Sequence, residues 1–269
     1  MKTRLCALLL LSAFILSSCS SVPITGRKRL MVVSDSEILT SSLSEYQTYM
    51  KSATRSTQKG ASEMVTRAGS KIAAATEQYL RDNGMEDEIN NFAWEFSLVQ
   101  DPQVNAFCMP GGKIVVYEGL MGLIDREDEL AVVLGHEVAH AVAKHSNERM
   151  SQQVMASAGS AVLSIVLRNK SSLMQGLAQE VYGLGAQVGV MLPYSRKHEY
   201  EADYIGMVLM SLAGYEPEYA VTFWKKMSAS SSGSRSELLS THPSDENRIK
   251  NLEEKMEEVK KNYQKTSSK

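Results

Sequence analysis

Apolar residues recur every three or four positions in the first third of the chain, which predicts two amphipathic helices. The first is expected over 34–52 and the second over 62–80, after which Gly84 ends the helical region. We expect both helices to pack against a core without taking part in any chemistry.

A different pattern follows in the next part of the chain. Apolar residues alternate with others over 92–99, which predicts a strand that ends at Asp101 and Pro102. The stretch 105–112 is predicted to be a turn. The segment 113–117 is short and rich in β-branched residues, so a second strand is expected there.

The apolar segment 130–143 contains only three polar side chains, those of His136, Glu137 and His140. Two histidines four residues apart lie on one face of a helix, where both can reach a single metal ion. With five histidines and 31 acidic residues in the chain, chance would produce this HExxH spacing only about 0.01 times. The alternative, three hydrogen-bonded core residues, has to explain all three buried polar groups together.

This motif is typical of zinc sites that hydrolyse peptide bonds, and we expect one Zn²⁺ per chain. Glu137 lies where it can take a proton from a water molecule activated by the metal and pass it to the leaving amine. Catalytic zinc usually has three protein ligands and one water. A third ligand is therefore expected downstream.

An acidic cluster that leads into a later apolar helix offers the third ligand. Glu199 and Asp203 are four residues apart and share a helix face, whereas Glu201 lies about 160° around the helix from Glu199. We predict that Glu199 binds the metal and that Asp203 holds the outer nitrogen of a ligand imidazole. Glu201 remains the alternative ligand, and simple ion pairs with the preceding basic residues are the other interpretation.

Two features beside the motif are expected to be structural. His145 lies about 140° around the helix from His140, so it is predicted to be a surface or capping residue. Residues 153–192 are rich in small and apolar residues, and their longest apolar run is too short to span a bilayer. A helical hairpin packed against the domain is predicted, with a hairpin that dips into a membrane surface as the alternative.

The N-terminal residues have the charge and length pattern of a secretory signal. Lys2 and Arg4 precede the apolar run 5–16, and Leu16-Ser17-Ser18-Cys19 resembles the lipobox of bacterial lipoproteins. We therefore expect a signal peptide over 1–18, a lipid on Cys19, a polar tether over 19–33 and a single domain over 34–269. Because serine follows Cys19, the resemblance implies the periplasmic face of the outer membrane. An ordinary signal peptide or a short anchor is the alternative.

Composition excludes some classes of protein. A chain of 269 residues with 43% hydrophobic residues can bury a sizeable core. Its net charge of −2 and scattered basic residues give no support to nucleic-acid binding. Three cysteines do not make a disulfide framework, and Cys108 is expected to be a small buried residue.

The paired motifs resemble those of a known family. HExxH is followed, 59 residues after its second histidine, by ExxxD, as in the zinc metallopeptidase family that includes HtpX and the CAAX prenyl protease. Asn105-Ala106-Phe107, Pro110-Gly111-Gly112 and Thr241-His242-Pro243 are similar to its periplasmic BepA and LoiP branch. The resemblance implies an α+β, mainly helical zincin-type domain, with a small β-sheet bordering the cleft.

The same resemblance implies a function. Misfolded or misassembled envelope proteins are the expected substrates, and a non-proteolytic chaperone-like or adaptor lipoprotein that holds clients in the same cleft is the competing class. In such peptidases a strand bordering the cleft pairs with the extended substrate. Ile114, Val115, Val116 and Tyr117 are predicted to be that edge, with an interior strand as the alternative.

His242 follows a serine-rich stretch, 228–236, that is expected to be mobile. The resemblance implies that this histidine approaches zinc from a loop and takes the place of the water, which would keep the enzyme latent. It could instead stabilise the oxyanion. A loop histidine that only helps to start the last helix is the third interpretation.

Overall fold

A computed structural model of the chain describes residues 19–168, 171–186, 192–230, 238, 242 and 246–263. The predicted fold class is confirmed, since most of these residues are helical and a small sheet lies beside them. The predicted signal peptide over 1–18 and most of the serine-rich stretch, from 231 onward, lie outside the described residues. In chain order the elements are β1 (Cys19–Ser21), β2 (Lys28–Leu30), α1 (Asp35–Ser52), α2 (Lys59–Asp82), α3 (Glu86–Ile89), β3 (Glu95–Val99), β4 (Ala106–Met109), β5 (Lys113–Tyr117), α4 (Glu118–Met121), α5 (Glu127–Val142), α6 (His145–Leu167), α7 (Ser172–Ala186), α8 (Leu192–Leu212), α9 (Glu218–Ser230) and α10 (Glu246–Tyr263).

The three-stranded sheet has the order β3-β5-β4, with β3 parallel and β4 antiparallel to β5. The prediction that residues 114–117 form the edge is therefore wrong, because β5 is the middle strand. Gly111 and Gly112 have φ of +90° and +82° and reverse the chain at once. Ala106–Met109, predicted as part of a turn, is thus free to pair with β5 and forms one edge of the sheet, while β3 forms the other.

The four residues predicted to form the edge have the burial expected of an interior strand. Ile114, Val115 and Val116 have no exposed surface, and Tyr117 is partly buried at the end of β5. Their side chains pack into the two apolar clusters on either side of the sheet rather than border a cleft.

Helices α5 and α8 pack against each other through two glycines. A Cβ atom built on Gly135 would lie 2.8 Å from the carbonyl oxygen of Gly206, and one built on Gly206 would lie 2.8 Å from the amide nitrogen of His136. The two backbones therefore approach as closely as helices can. Since Gly135 directly precedes His136, this contact brings the acidic side chains of α8 to the HExxH motif.

Residues 20–33 pack on the domain, so the irregular tether predicted for this stretch is wrong. Strands β1 and β2 form an antiparallel pair, and Val22 and Arg29 are only 1% and 2% exposed. The Arg29 guanidinium donates hydrogen bonds to the carbonyl oxygens of Val142 and Ala143, at 3.3 and 2.7 Å. A cation at this end of α5 satisfies carbonyl groups that have no partner within the helix.

The predicted helical hairpin corresponds to α6 and α7, which lie against each other. Its predicted packing against the domain is wrong for the distal half of α6, where Val162, Ile165 and Val166 are 60–69% exposed. Within the described part of the chain, α6 is the one helix whose length and apolar composition would allow it to cross a membrane.

The close crossing of α5 and α8 predicts a sensitive position. Gly135→Ala should lower the free energy of unfolding by about 1–3 kcal/mol, because the new methyl group has to displace the backbone of Gly206. Urea unfolding followed by circular dichroism measures the change.

Gly176→Ala is the matched control, because a Cβ at this exposed position of α7 meets nothing within 4 Å. It should leave stability unchanged or raise it by up to about 1 kcal/mol. Equal unfolding midpoints for Gly135→Ala and the unmodified chain would show that the crossing is not as tight as described.

Candidate metal centre

Four side chains converge where α5 meets α8. The Nε2 atoms of His136 and His140 lie 3.1 Å apart, one helical turn from each other. The Glu199 carboxylate lies 3.3 Å from Nε2 of His136 and 3.6 Å from Nε2 of His140. His242 approaches with its Nδ1 3.0 Å from Glu199 Oε2 and 3.2 Å from His136 Nε2.

One ligand atom from each of these four residues lies within 4.8 Å of the others. The structure thus brings together the residues predicted as metal ligands, and His242 with them. Glu201, the alternative ligand, faces away from this cluster, and its carboxylate accepts hydrogen bonds from Arg27 and Thr25 instead.

Asp203 determines which nitrogen of His136 faces the cluster. Its Oδ1 atom lies 3.0 Å from Nδ1 of His136, and Arg248 donates two hydrogen bonds of 2.7 Å to the same carboxylate. Although burial opposes ionisation, Arg248 lowers the pKa of Asp203, so the carboxylate is charged and can only accept. Nδ1 of His136 is therefore a donor to Asp203, and Nε2 is the nitrogen that faces Glu199 and is available to a metal.

The predicted position of His145 is wrong. This residue is 1% exposed, and its Nδ1 lies 2.8 Å from Nδ1 of His140. The prediction assumed one continuous helix, but α5 ends before Lys144, which has a left-handed φ of +54°. Ion pairs of 2.7 and 2.6 Å with Asp35 and Glu88 hold Lys144 in this conformation, and the chain turns His145 back toward the cluster.

The electrostatics of the two histidines of the motif differ. Burial lowers the pKa of His140 well below its ordinary value. For His136 burial acts in the same direction, but hydrogen bonds to Asp203 and Glu199 outweigh it and raise the pKa to about 9. Opposing burial again, the neighbouring imidazoles lower the pKa of Glu199 well below the usual range. The cluster thus holds a buried, charged carboxylate facing imidazole nitrogens.

Glu137 lies beside the cluster with an unused acceptor. Its side chain is 2% exposed, the backbone N–H of Cys108 in β4 donates to its carboxylate, and burial raises its pKa. Among the described residues its buried Oε1 atom has no hydrogen-bond partner. Buried polar atoms without partners are rare, and a water molecule held by a metal would supply one here.

The donor set fits zinc. The Nε2 atoms of His136 and His140 face each other at 3.1 Å, and a divalent cation between them would take the place of the proton that the raised pKa leaves on His136. Two imidazoles and one carboxylate on a helical HExxH framework are a common catalytic zinc set.

Comparison with known sequences agrees with this geometry. Residues 48–256 match Peptidase family M48, which is more than half of the chain. The chain belongs to this family. An M48 assignment agrees with the mainly helical zincin-type fold described above.

The chain is also similar to individual proteins whose names are known. It is 38% identical over 190 residues, 70% of its length, to the mitochondrial metalloendopeptidase OMA1 of Schizosaccharomyces pombe, and 29% identical over 255 residues, 91% of its length, to that of Homo sapiens. The β-barrel assembly-enhancing protease of Escherichia coli is 30% identical over 160 residues, 58% of this chain. The chain spans 53%, 47% and 33% of these three relatives, respectively.

These relatives correct two expectations. The narrower resemblance to the periplasmic BepA and LoiP branch is not confirmed, because the OMA1 proteins of Schizosaccharomyces pombe and Arabidopsis thaliana are 38% and 39% identical, whereas the Escherichia coli protease is 30% identical. The predicted location, lipid-anchored at the periplasmic face of an outer membrane, is wrong, because relatives with this higher identity are mitochondrial proteins.

Three residues of the site were missed by sequence reasoning. His145 was noted but placed on the surface, whereas Arg248 and Arg27 lie in polar stretches where a buried partner leaves no periodic pattern. His145, five residues after His140, was the one indication in the sequence that a further side chain belongs to the site.

The buried pair of Asp203 and Arg248 predicts a large stability effect. Both side chains are at most 2% exposed. Arg248→Met keeps much of the side-chain volume but removes the permanently charged partner of the buried carboxylate and two of its hydrogen bonds, so the metal-free protein should lose about 3–5 kcal/mol in free energy of unfolding. Urea unfolding in the presence of chelator measures this loss.

The matched control is Lys225→Met, which removes an exposed ion pair with Glu253 whose side chains are 56% and 48% exposed. It should cost no more than about 1 kcal/mol. Similar small losses for both variants would contradict the structural importance given to Arg248.

Proposed function

We propose that this M48 chain is a zinc-dependent endopeptidase that binds one Zn²⁺ through His136, His140 and Glu199. The observation that carries the proposal is the convergence of two imidazole Nε2 atoms and the Glu199 carboxylate beside an unpartnered oxygen of Glu137. When bound there, zinc supplies a Lewis acid that acidifies water and polarises the scissile carbonyl.

Glu137 is the general base and then the general acid in this proposal. Its buried carboxylate has a raised pKa, which suits a group that first accepts a proton from the attacking water and then gives it to the leaving amine. Asp203 orients His136 through its Nδ1 atom. Cleavage in this proposal therefore depends on buried Glu137 for proton transfer and on buried Asp203 for the orientation of His136.

Extended protein or peptide segments are the proposed substrates, and misfolded proteins offer such segments. Support comes from β4, the edge strand whose Cys108 backbone N–H donates to Glu137. Main-chain hydrogen bonds to an edge strand accept peptides of varied sequence. Lipidation of Cys19 stays a prediction from residues 16–19, as does the signal peptide over 1–18.

Glu137→Gln tests the chemistry. The amide cannot accept the proton, so cleavage of an unfolded casein-type substrate should fall by at least about 10²-fold while zinc stays bound. Proteolysis and zinc content are measured on the same preparation, with and without chelator.

Glu254→Gln is the matched control, because this carboxylate is 62% exposed on α10 and should leave cleavage unchanged. Undiminished cleavage by Glu137→Gln would contradict the proposed base. If zinc binds but neither the unmodified chain nor His242→Ala cuts any peptide bond, the chaperone-like or adaptor alternative is favoured instead.

We also propose that His242 keeps the site latent. Its Nδ1 atom lies 3.2 Å from His136 Nε2, and its Nε2 lies 3.5 Å from Glu137 Oε1, where an attacking water would have to lie. A fourth protein ligand in that position would exclude the water.

His242→Ala should therefore raise the rate of casein cleavage severalfold at unchanged zinc content, as measured in initial-rate assays. If His242 stabilises the oxyanion instead, the same variant should lower the rate by about 10²–10³-fold. An unchanged rate would exclude both roles.

A further inference from the structure

The two histidines of the motif are supported in different ways. Nδ1 of His136 contacts a carboxylate directly, that of Asp203, at 3.0 Å. Nδ1 of His140 contacts another imidazole, that of His145, at 2.8 Å. The second ligand is thus held by a neutral ring, which can orient it only if that ring is itself fixed.

The contacts around His145 determine the direction of its hydrogen bonds. Its Nε2 atom lies 3.0 Å from Glu201 Oε2, and this carboxylate forms an ion pair with Arg27, so Nε2 donates to it. A neutral His145 then carries no proton on Nδ1, which accepts the N–H of His140 Nδ1. The lone pair of His140 Nε2 is left facing His136 and Glu199, as a metal ligand requires.

Glu201 is held in turn by the N-terminal segment 20–33. Thr25 Oγ1 donates to its Oε1 at 2.6 Å, and Arg27 Nε donates to its Oε2 at 2.8 Å. The guanidinium of Arg27 also makes a bidentate pair with Glu148, at 2.9 and 2.7 Å. Two buried carboxylates therefore share one arginine that comes from a part of the chain 174 residues away from Glu201.

Burial makes this arginine important for the orientation of His145. The side chains of Glu201 and Glu148 are only 7% and 1% exposed, so both charges need a partner inside the protein. His198 Nε2 donates to Glu148 Oε2 at 3.0 Å, and the His198 ring stacks on His145 with ring centroids 4.2 Å apart. Displacing Arg27 would leave both sides of the His145 ring with unbalanced charge.

We propose that His145, Glu201 and Arg27 are positioning residues for His140, so that segment 20–33 is a structural part of the metal centre. This inference rests on the proposed zinc site. It extends that site by a relay of four side chains, from Arg27 through Glu201 and His145 to His140.

The affinity for Zn²⁺, measured by competition with a chromophoric chelator, tests the relay without relying on catalysis. His145→Phe keeps a ring of similar size but accepts no hydrogen bond, so zinc should bind about 10–100-fold more weakly. The Co²⁺-substituted protein should also show an altered visible absorption spectrum, because His140 is free to rotate. A purely structural role for His145 would lower the stability of the metal-free protein and leave both readouts unchanged.

Arg27→Gln tests the contribution of the N-terminal segment, with Arg67→Gln as the control. Arg67 makes a comparable ion pair with Glu127 away from the site and is 51% exposed. We expect weaker zinc binding for Arg27→Gln alone. Because Arg27 acts through His145, the double variant should bind zinc no more weakly than His145→Phe. Should Arg27→Gln fail to fold, Thr25→Val, which removes one hydrogen bond to Glu201, takes its place.

The outcomes separate this inference from the proposed function. If the unmodified chain does not bind one equivalent of Zn²⁺, the proposed zinc site fails. If it binds zinc and the His145 and Arg27 (or Thr25) variants match it in affinity and in Co²⁺ spectrum, the relay is wrong while the zinc site stands. Strictly additive losses in the double variant would also overturn the relay.

Discussion

The close approach of α5 and α8 is the constraint on which the metal centre depends. Gly135 and Gly206 leave so little room that an added methyl group on either would meet backbone atoms of the other helix at 2.8 Å. This contact lies one residue from His136, and Asp203 and Glu199 lie on α8 about one and two turns before Gly206. Protein interiors are close-packed, so a small displacement here would move both acidic residues relative to the histidines.

The arrangement buries several charged carboxylates, which is unfavourable, and two arginines compensate for these charges. Glu199, Asp203 and Glu201 are each less than 9% exposed, and all three have lowered pKa values. Arg248 stabilises Asp203 from the start of the last helix, while Arg27 stabilises Glu201 from the N-terminal segment. Two parts of the chain that are far apart in sequence thus both stabilise buried carboxylates of α8.

Sequence reasoning succeeded where a periodic pattern carried the information. The helical spacing of His136 and His140, together with the shared face of Glu199 and Asp203, was sufficient to predict which residues converge. It failed where geometry depended on a backbone reversal. The left-handed Lys144 redirected His145, and the paired glycines after Pro110 made β5 an interior strand.

Long-range ion pairs left no trace in the sequence either. The stretch that contains Arg27 has no hydrophobic periodicity, so it was expected to be a tether, although its guanidinium lies on two buried carboxylates. Such partners can be found only once the fold has brought distant residues together. Location was inferred from a short N-terminal pattern alone, and sequence relatives overruled it.

X-ray absorption spectroscopy of the purified, zinc-loaded protein tests the central claim most directly. The account predicts a zinc shell of nitrogen and oxygen atoms at about 2.0–2.2 Å, with the outer-shell scattering of at least two imidazoles. A sulfur atom at about 2.3 Å, which would implicate Cys108, or a spectrum without imidazole scattering would contradict it.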